Sequence, residues 1–350
     1  MEREYYLKLG AAGLRLPIGA DLVLQEERDP EGVRLDGAAL GRVVERAARR
    51  YRSPLAIPLM DLRLEKADLL RNLGVPEQEI EQFHFREAPG QDVLQAAGDG
   101  PFAPANRAQH EAIQYIAGYT DLLPVGMTIG PFSLMTKLLD DPISAVALAG
   151  MGLTGEEEPA VKLAESAAAL AERAVARSVA AQIDAGAWAV IVCEPAANVV
   201  YISPKQMAAG SDVFDRFVIQ PNLRLKRRLE QAGVDLIFHD CGELNDVMVE
   251  QFAQRIHPVV LSLGSSRQLW RDAGLVPRDV VLFGNLPTKS FYSDAKMPAA
   301  EVERLTCDLL GRMAKTRHPF ILGSECDVLS VPGAHETIRR KVDVMLSVCR

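Results

Sequence analysis

Trp188-Ala189-Val190-Ile191-Val192-Cys193 runs without a single charge, and Glu194 follows it at once. The run is continuous rather than alternating, so both faces of the strand it forms must be covered, as in a parallel sheet packed between layers. The residues before it read differently. Over 160–185, Ala164, Ala168, Ala171, Val175, Val179 and Ile183 recur every three or four positions, and Gly186 then stops the helix. A helix delivered directly into a buried strand is one unit of an α/β fold.

Working outward, the same alternation fills the chain. Apolar runs stand at 55–60, 81–86, 125–129, 188–193, 235–238, 258–263, 280–283 and 320–322, of which 81–86 is the most polar. Helical periodicity returns between them, as in Val302, Leu305, Leu309 and Met313. Strand–helix alternation implies a mainly parallel sheet. Eight units favour a closed (β/α)8 barrel over an open doubly wound sheet. Residues 1–50, with a helix near 41–51, are expected to form an N-terminal cap on one barrel domain spanning 1–350. Gly90, Gly98 and Gly100 with Pro89, Pro101 and Pro104 mark 87–104 as a long loop. The chain has no internal repeat, no Gly-x-Gly-x-x-Gly and no P-loop, so nucleotide binding has no support.

Composition narrows the function. Of 350 residues, 48% are hydrophobic and 25% charged, which is ordinary for a globular protein and excludes disorder or a fibre. A net charge of −8 argues against a nucleic acid held through its phosphates. Arg224-Leu225-Lys226-Arg227-Arg228 reads as a solvated helix face, the alternative being a phosphate contact. The first residues, Met1 to Tyr6, carry no signal-peptide core, and no apolar stretch reaches the ~18 residues that span a bilayer. The expected location is the cytoplasm. Five scattered cysteines, an odd count, argue against a disulfide framework and leave metal or nucleophile chemistry.

Parallel barrels build their sites at the carboxyl ends of the strands. The runs here end at Asp61, Gly130, Glu194, His239-Asp240-Cys241, Asn285 and Glu325-Cys326. His239 and Cys241 are two apart, so at a strand end both point to one side. Cys326 ends another strand. One imidazole and two thiolates make a ligand set that suits a catalytic zinc, with the fourth position open. Against this stands the plainer reading, because buried cysteine and His-x-Cys are both common without a metal. Cys193 inside a strand, Cys307 on a helix and Cys349 near the C-terminus read as structural. His84, His110, His257 and His318 have no partner spacing and read as surface or core histidines.

Several segments together carry a family likeness. Met60-Asp61-Leu62-Arg63-Leu64-Glu65, Gly130-Pro131-Phe132-Ser133-Leu134, and Glu194-Pro195-Ala196-Ala197 with Ile202-Ser203-Pro204 are three of them. His239-Asp240-Cys241-Gly242, Gly284-Asn285 and Gly323-Ser324-Glu325-Cys326-Asp327 complete the set. From about Pro54 on, the chain resembles the uroporphyrinogen decarboxylase superfamily, and within it the zinc-dependent, methylcobalamin:coenzyme M methyltransferase-like branch. The His-x-Cys…Cys motif is the specific part. Decarboxylases of the family need no metal, and their N-terminal Arg-x-x-Gly-Arg pattern has no counterpart in 1–50.

The resemblance implies methyl transfer between a corrinoid and a small thiol or other acceptor, a step of one-carbon metabolism. Zinc would be held by His239, Cys241 and Cys326. The chain lacks the Asp-x-His-x-x-Gly corrinoid-ligand signature, so cobalamin is expected to arrive on a partner corrinoid protein or as substrate. Glu194 stands where aspartate is usual; it is open as a labile fourth zinc ligand, a substrate orienter or a solvated carboxylate. Asp61 is carried over as a substrate-side carboxylate, and Asn285 and Tyr201 as substrate or corrinoid contacts. Asp240, between two ligands, should point away and be structural. His335 and Thr337 stand where proline and asparagine are usual, which bears on the substrate. Two other readings remain: a metal-free carboxy-lyase with an arginine-lined mouth, and a non-catalytic module that binds zinc or a corrinoid protein.

Overall fold

The computed structural model describes residues 3–96 and 98–349. Its strands are β1 (Arg15–Ile18), β2 (Leu55–Ala56), β3 (Leu123–Ile129), β4 (Ala189–Cys193), β5 (Asp235–Asp240), β6 (Val260–Leu263), β7 (Val281–Leu286) and β8 (Phe320–Asp327). All pair in parallel, in the order β1-β8-β7-β6-β5-β4-β3-β2, and helices cover the outside. This is a (β/α)8 barrel. At the seam between its two end strands, side chains close the wall: Leu16 and Ile18 from β1 join Leu55 and Ile57 in one interior cluster.

The pleat sorts the residues. Ile191 and Cys193 of β4 face the barrel interior, while Val190 and Val192 pack outward beneath the helices. Ile237 of β5 faces in, and Leu236 and Phe238 face out. Continuing the same period puts His239 on the inner face. The floor is closed by the helix Arg3–Ala11, whose Tyr6 is fully buried in the interior cluster. Arg3 ties that helix down by donating to the carbonyls of His257 (2.6 Å) and Pro258 (2.8 Å).

Three expectations need correction. Residues 81–86 form no strand; Phe85 makes a single bridge to Leu139, and Phe83 and Phe85 stack edge-on to each other. Their alternation with Glu81, Gln82, His84 and Arg86 mimics a strand without the apolar continuity of the buried ones. The missing stave comes from the expected N-terminal cap, where β1 pairs with β8 through Leu16 opposite Gly323. The loop 87–104 contains a short helix, Gln91–Ala96.

The cysteine reading also changes. Cys307 and Cys349 are joined by a disulfide spanning 42 residues, because the helices Ala299–Thr316 and His335–Ser347 pack side by side. Cys193, Cys241 and Cys326 are free thiols. No helix among the described residues is long and apolar enough to cross a membrane.

Candidate metal centre

The sheet register builds the site. Cys193, His239 and Ser262 lie side by side across β4, β5 and β6. Ser262 Oγ is 2.8 Å from His239 Nδ1, and both side chains are buried. His239 Nε2, also buried, has no hydrogen-bond partner among the described residues. A buried ring nitrogen without a partner costs about 1–3 kcal/mol unless something else takes its lone pair. With Nδ1–H donating to Ser262, that lone pair is available to a metal.

Cys241 and Cys326 complete the group. One ligand atom from each of His239, Cys241 and Cys326 lies within 4.8 Å of the others. The two sulfurs are hydrogen-bonded to each other. A hydrogen bond from Cys241, followed by contacts from His239 and Lys289, holds the Cys326 thiol well below its usual range against the opposing effect of burial. The same bond, with burial, drives the Cys241 thiol upward. Two cysteine sulfurs beside a free imidazole nitrogen make a donor set that fits zinc.

Lys289, just past β7, has its backbone N–H on Glu325 Oε1 at 3.2 Å. Burial pulls its ammonium pKa down, but Cys241, Cys326 and Glu325 raise it more. A cation therefore persists beside the sulfurs. Nothing local in the sequence announces it. Ser262 had a signal: it is the single hydroxyl in the run 258–263, at an inward position.

A cavity of about 590 Å³ opens over the centre, with Met60, Asp61, Arg63, Lys289, Cys326 and Asp327 in its wall. That size suits a small molecule. Asp61 lies in that wall, paired with Arg63. Burial raises its carboxyl pKa and the Arg63 guanidinium, at 2.8 and 2.9 Å, more than offsets that. Arg34, across the cavity, is likewise spoken for by Asp21 at 2.7 Å. Gly19 permits the close approach of β1 here, since a Cβ on it would sit 2.1 Å from Asp327 Oδ1.

Glu194 is placed differently from a solvated carboxylate. It is fully buried and accepts from the N–H groups of Phe132 (3.2 Å) and Ser133 (2.8 Å) and from Asn222 Nδ2 (2.8 Å). Those two N–H groups start the helix Pro131–Leu138, whose N-cap Gly130 has no side chain to satisfy them. Glu194 supplies the cap from another strand, and a Cβ on Gly130 would overlap its carboxyl carbon at 2.0 Å. Burial raises its pKa against the pull of those hydrogen bonds. It does not belong to the converging group.

The remaining expected residues lie off the cavity wall. Asn285 spends both amide hydrogens on the carbonyls of Gly264 (2.7 Å) and Arg267 (2.9 Å). Tyr201 packs edge-on to Phe132, half-buried against the outer core. Asp240 is fully buried and accepts from the Gly242 N–H at 2.8 Å, a local turn contact.

Comparison with known proteins adds a family and a fold. The family model described as uroporphyrinogen decarboxylase (URO-D) matches residues 92–344. Among solved structures, a methyltransferase from Methanosarcina mazei is similar at 15% identity and a TM-score of 0.63, over 95% of this chain and 92% of that one. At that identity the likeness concerns the fold. No curated protein matches the chain.

Proposed function

The chain belongs to the uroporphyrinogen decarboxylase family, and we propose that it is a zinc-dependent methyltransferase that moves a methyl group between a corrinoid and a small thiol or other acceptor. The observation that carries this reading is the convergence of His239, Cys241 and Cys326 within 4.8 Å beside an open cavity at the barrel mouth. A zinc ion there would lower the pKa of an arriving thiol, so that the nucleophilic thiolate exists at neutral pH.

The chain's own groups supply the rest. Ser262 fixes the imidazole, and Lys289 keeps positive charge beside the sulfurs of Cys241 and Cys326. Asp61 and Arg63 line the cavity as a neutral pair, as do Asp21 and Arg34. Both cavity arginines being paired weighs against the carboxy-lyase reading, which needs free guanidinium groups for a polycarboxylate. Tyr292, Leu329 and Val331 leave apolar surface exposed around the opening. The flat face of a corrinoid, delivered by a carrier protein, would rest on that rim.

The test is demethylation of methylcobalamin by a thiol, followed by the absorbance of the corrin. Zinc-loaded protein should accelerate it, and chelated protein and Cys326→Ala should not. Equal rates with and without zinc would sink this reading. Carbon dioxide release from a carboxylated tetrapyrrole by metal-free protein would replace it with the carboxy-lyase.

A further inference from the structure

The three protein ligands leave a fourth position, and Glu194 is tied up by three hydrogen bonds on the far side of its strand end. A different group stands closer. Met60, four residues beyond β2, lies in the cavity wall with its Sδ 3.8 Å from Cys326 Sγ. Two sulfur ligands on one tetrahedral zinc, each about 2.3 Å from the metal, are themselves about 3.8 Å apart. The thioether is thus spaced from Cys326 as a second ligand would be.

We propose that Met60 Sδ holds the fourth position of the His239, Cys241 and Cys326 centre when no substrate is bound. This rests on the zinc reading given above. The chemistry favours a thioether in that role. It is soft, like the two thiolates, and so compatible with the same metal. It is neutral, so two thiolates still balance the dication. It is a weak donor on a flexible side chain, so an incoming thiolate displaces it without a proton having to reach it. The thiol's own proton leaves through the open cavity to solvent, and Met60 swings back against Leu59 and Leu62, its neighbours in the wall.

Selenomethionine labelling of the full chain tests this directly. Ten methionines take the label, but only one within bonding distance of zinc gives a selenium shell in the zinc-edge X-ray absorption spectrum. The expected result is a selenium neighbour in the resting zinc-loaded protein, lost on adding 2-mercaptoethanol and lost in labelled Met60→Leu. In that variant the nitrogen and two sulfurs should remain and zinc should stay stoichiometric. Stoichiometric zinc with no selenium shell, its fourth neighbour an oxygen, overturns the assignment and leaves the zinc reading intact. A chain that retains no zinc at all overturns both.

Discussion

Ser262 Oγ sits 2.8 Å from His239 Nδ1 because β5 and β6 place the two residues in direct register. The bond selects which ring nitrogen faces the cysteines. Ser262→Ala should therefore lower zinc affinity by about 10–100-fold with the barrel intact. Ser262→Thr, which keeps the hydroxyl, should recover most of it. Competition with a chromophoric chelator measures this, and an unchanged affinity in Ser262→Ala would remove the hydroxyl from the metal's support.

Cys241→Ala and Cys326→Ala should each lose the metal while staying folded. The barrel's stability lies in its apolar interior and outer layers, not in the centre at its rim. We expect unfolding free energies within about 3 kcal/mol of the parent. Metal content and denaturant titration check the two halves of this statement. Full zinc in both variants would refute the ligand set, and global unfolding of either would make the site structural.

Glu194→Ala should show the reverse pattern. It strands two helix N–H groups and one Asn222 amide hydrogen, the other being held by the Val218 carbonyl, in a fully buried place. A loss of about 3 kcal/mol or more is expected, at about 1–3 kcal/mol per unsatisfied group. Zinc stoichiometry should hold. If zinc were lost while stability stayed put, Glu194 would be a ligand after all.

These contrasts follow the line between what sequence carries and what packing decides. The strand Ala189–Cys193 is legible because an unbroken apolar run calls for cover on both faces, and all five of its residues are buried. His239 and Cys241 were legible because a two-residue period puts them on one side. β1 was not, since four residues around Pro17 give almost no periodic signal and owe their strand to the β8 edge. Lys289 and Met60 meet the centre through loop closure between distant segments, which no local pattern encodes, whereas Ser262, the single hydroxyl of an apolar run, shows its inward place in the sequence but not its partner His239. The Cys307–Cys349 disulfide depends on two helices packing together and is equally invisible to cysteine spacing. Glu194 carried the right burial hint, as the residue directly after an all-buried strand, but its role as a cap for the helix at Pro131 is a tertiary fact.

The last prediction concerns Glu65, which lies on the helix Leu64–Asn72 outside the barrel wall. Its Oε1 accepts from Thr128 Oγ1 at 2.7 Å and Ser178 Oγ at 2.9 Å, and its Oε2 has no partner among the described residues. Burial raises its pKa from 4.5 to about 7, outweighing those two hydrogen bonds. The folded state thus binds a proton more tightly than the unfolded one. Its contribution is fully present below pH 4.5, and it is lost as pH rises toward and through 7. The loss amounts to about 3 kcal/mol, at 1.36 kcal/mol per pKa unit. Glu65→Gln keeps an acceptor for Thr128 and Ser178 and cannot ionise. Whatever fixed cost its amide adds, the stability of the parent minus that of the variant should fall by about 3 kcal/mol between pH 4.5 and pH 8. Urea unfolding at a series of pH values gives the difference directly. A difference that stays flat across that range would mean that Glu65 titrates in the folded protein as it does in the unfolded chain.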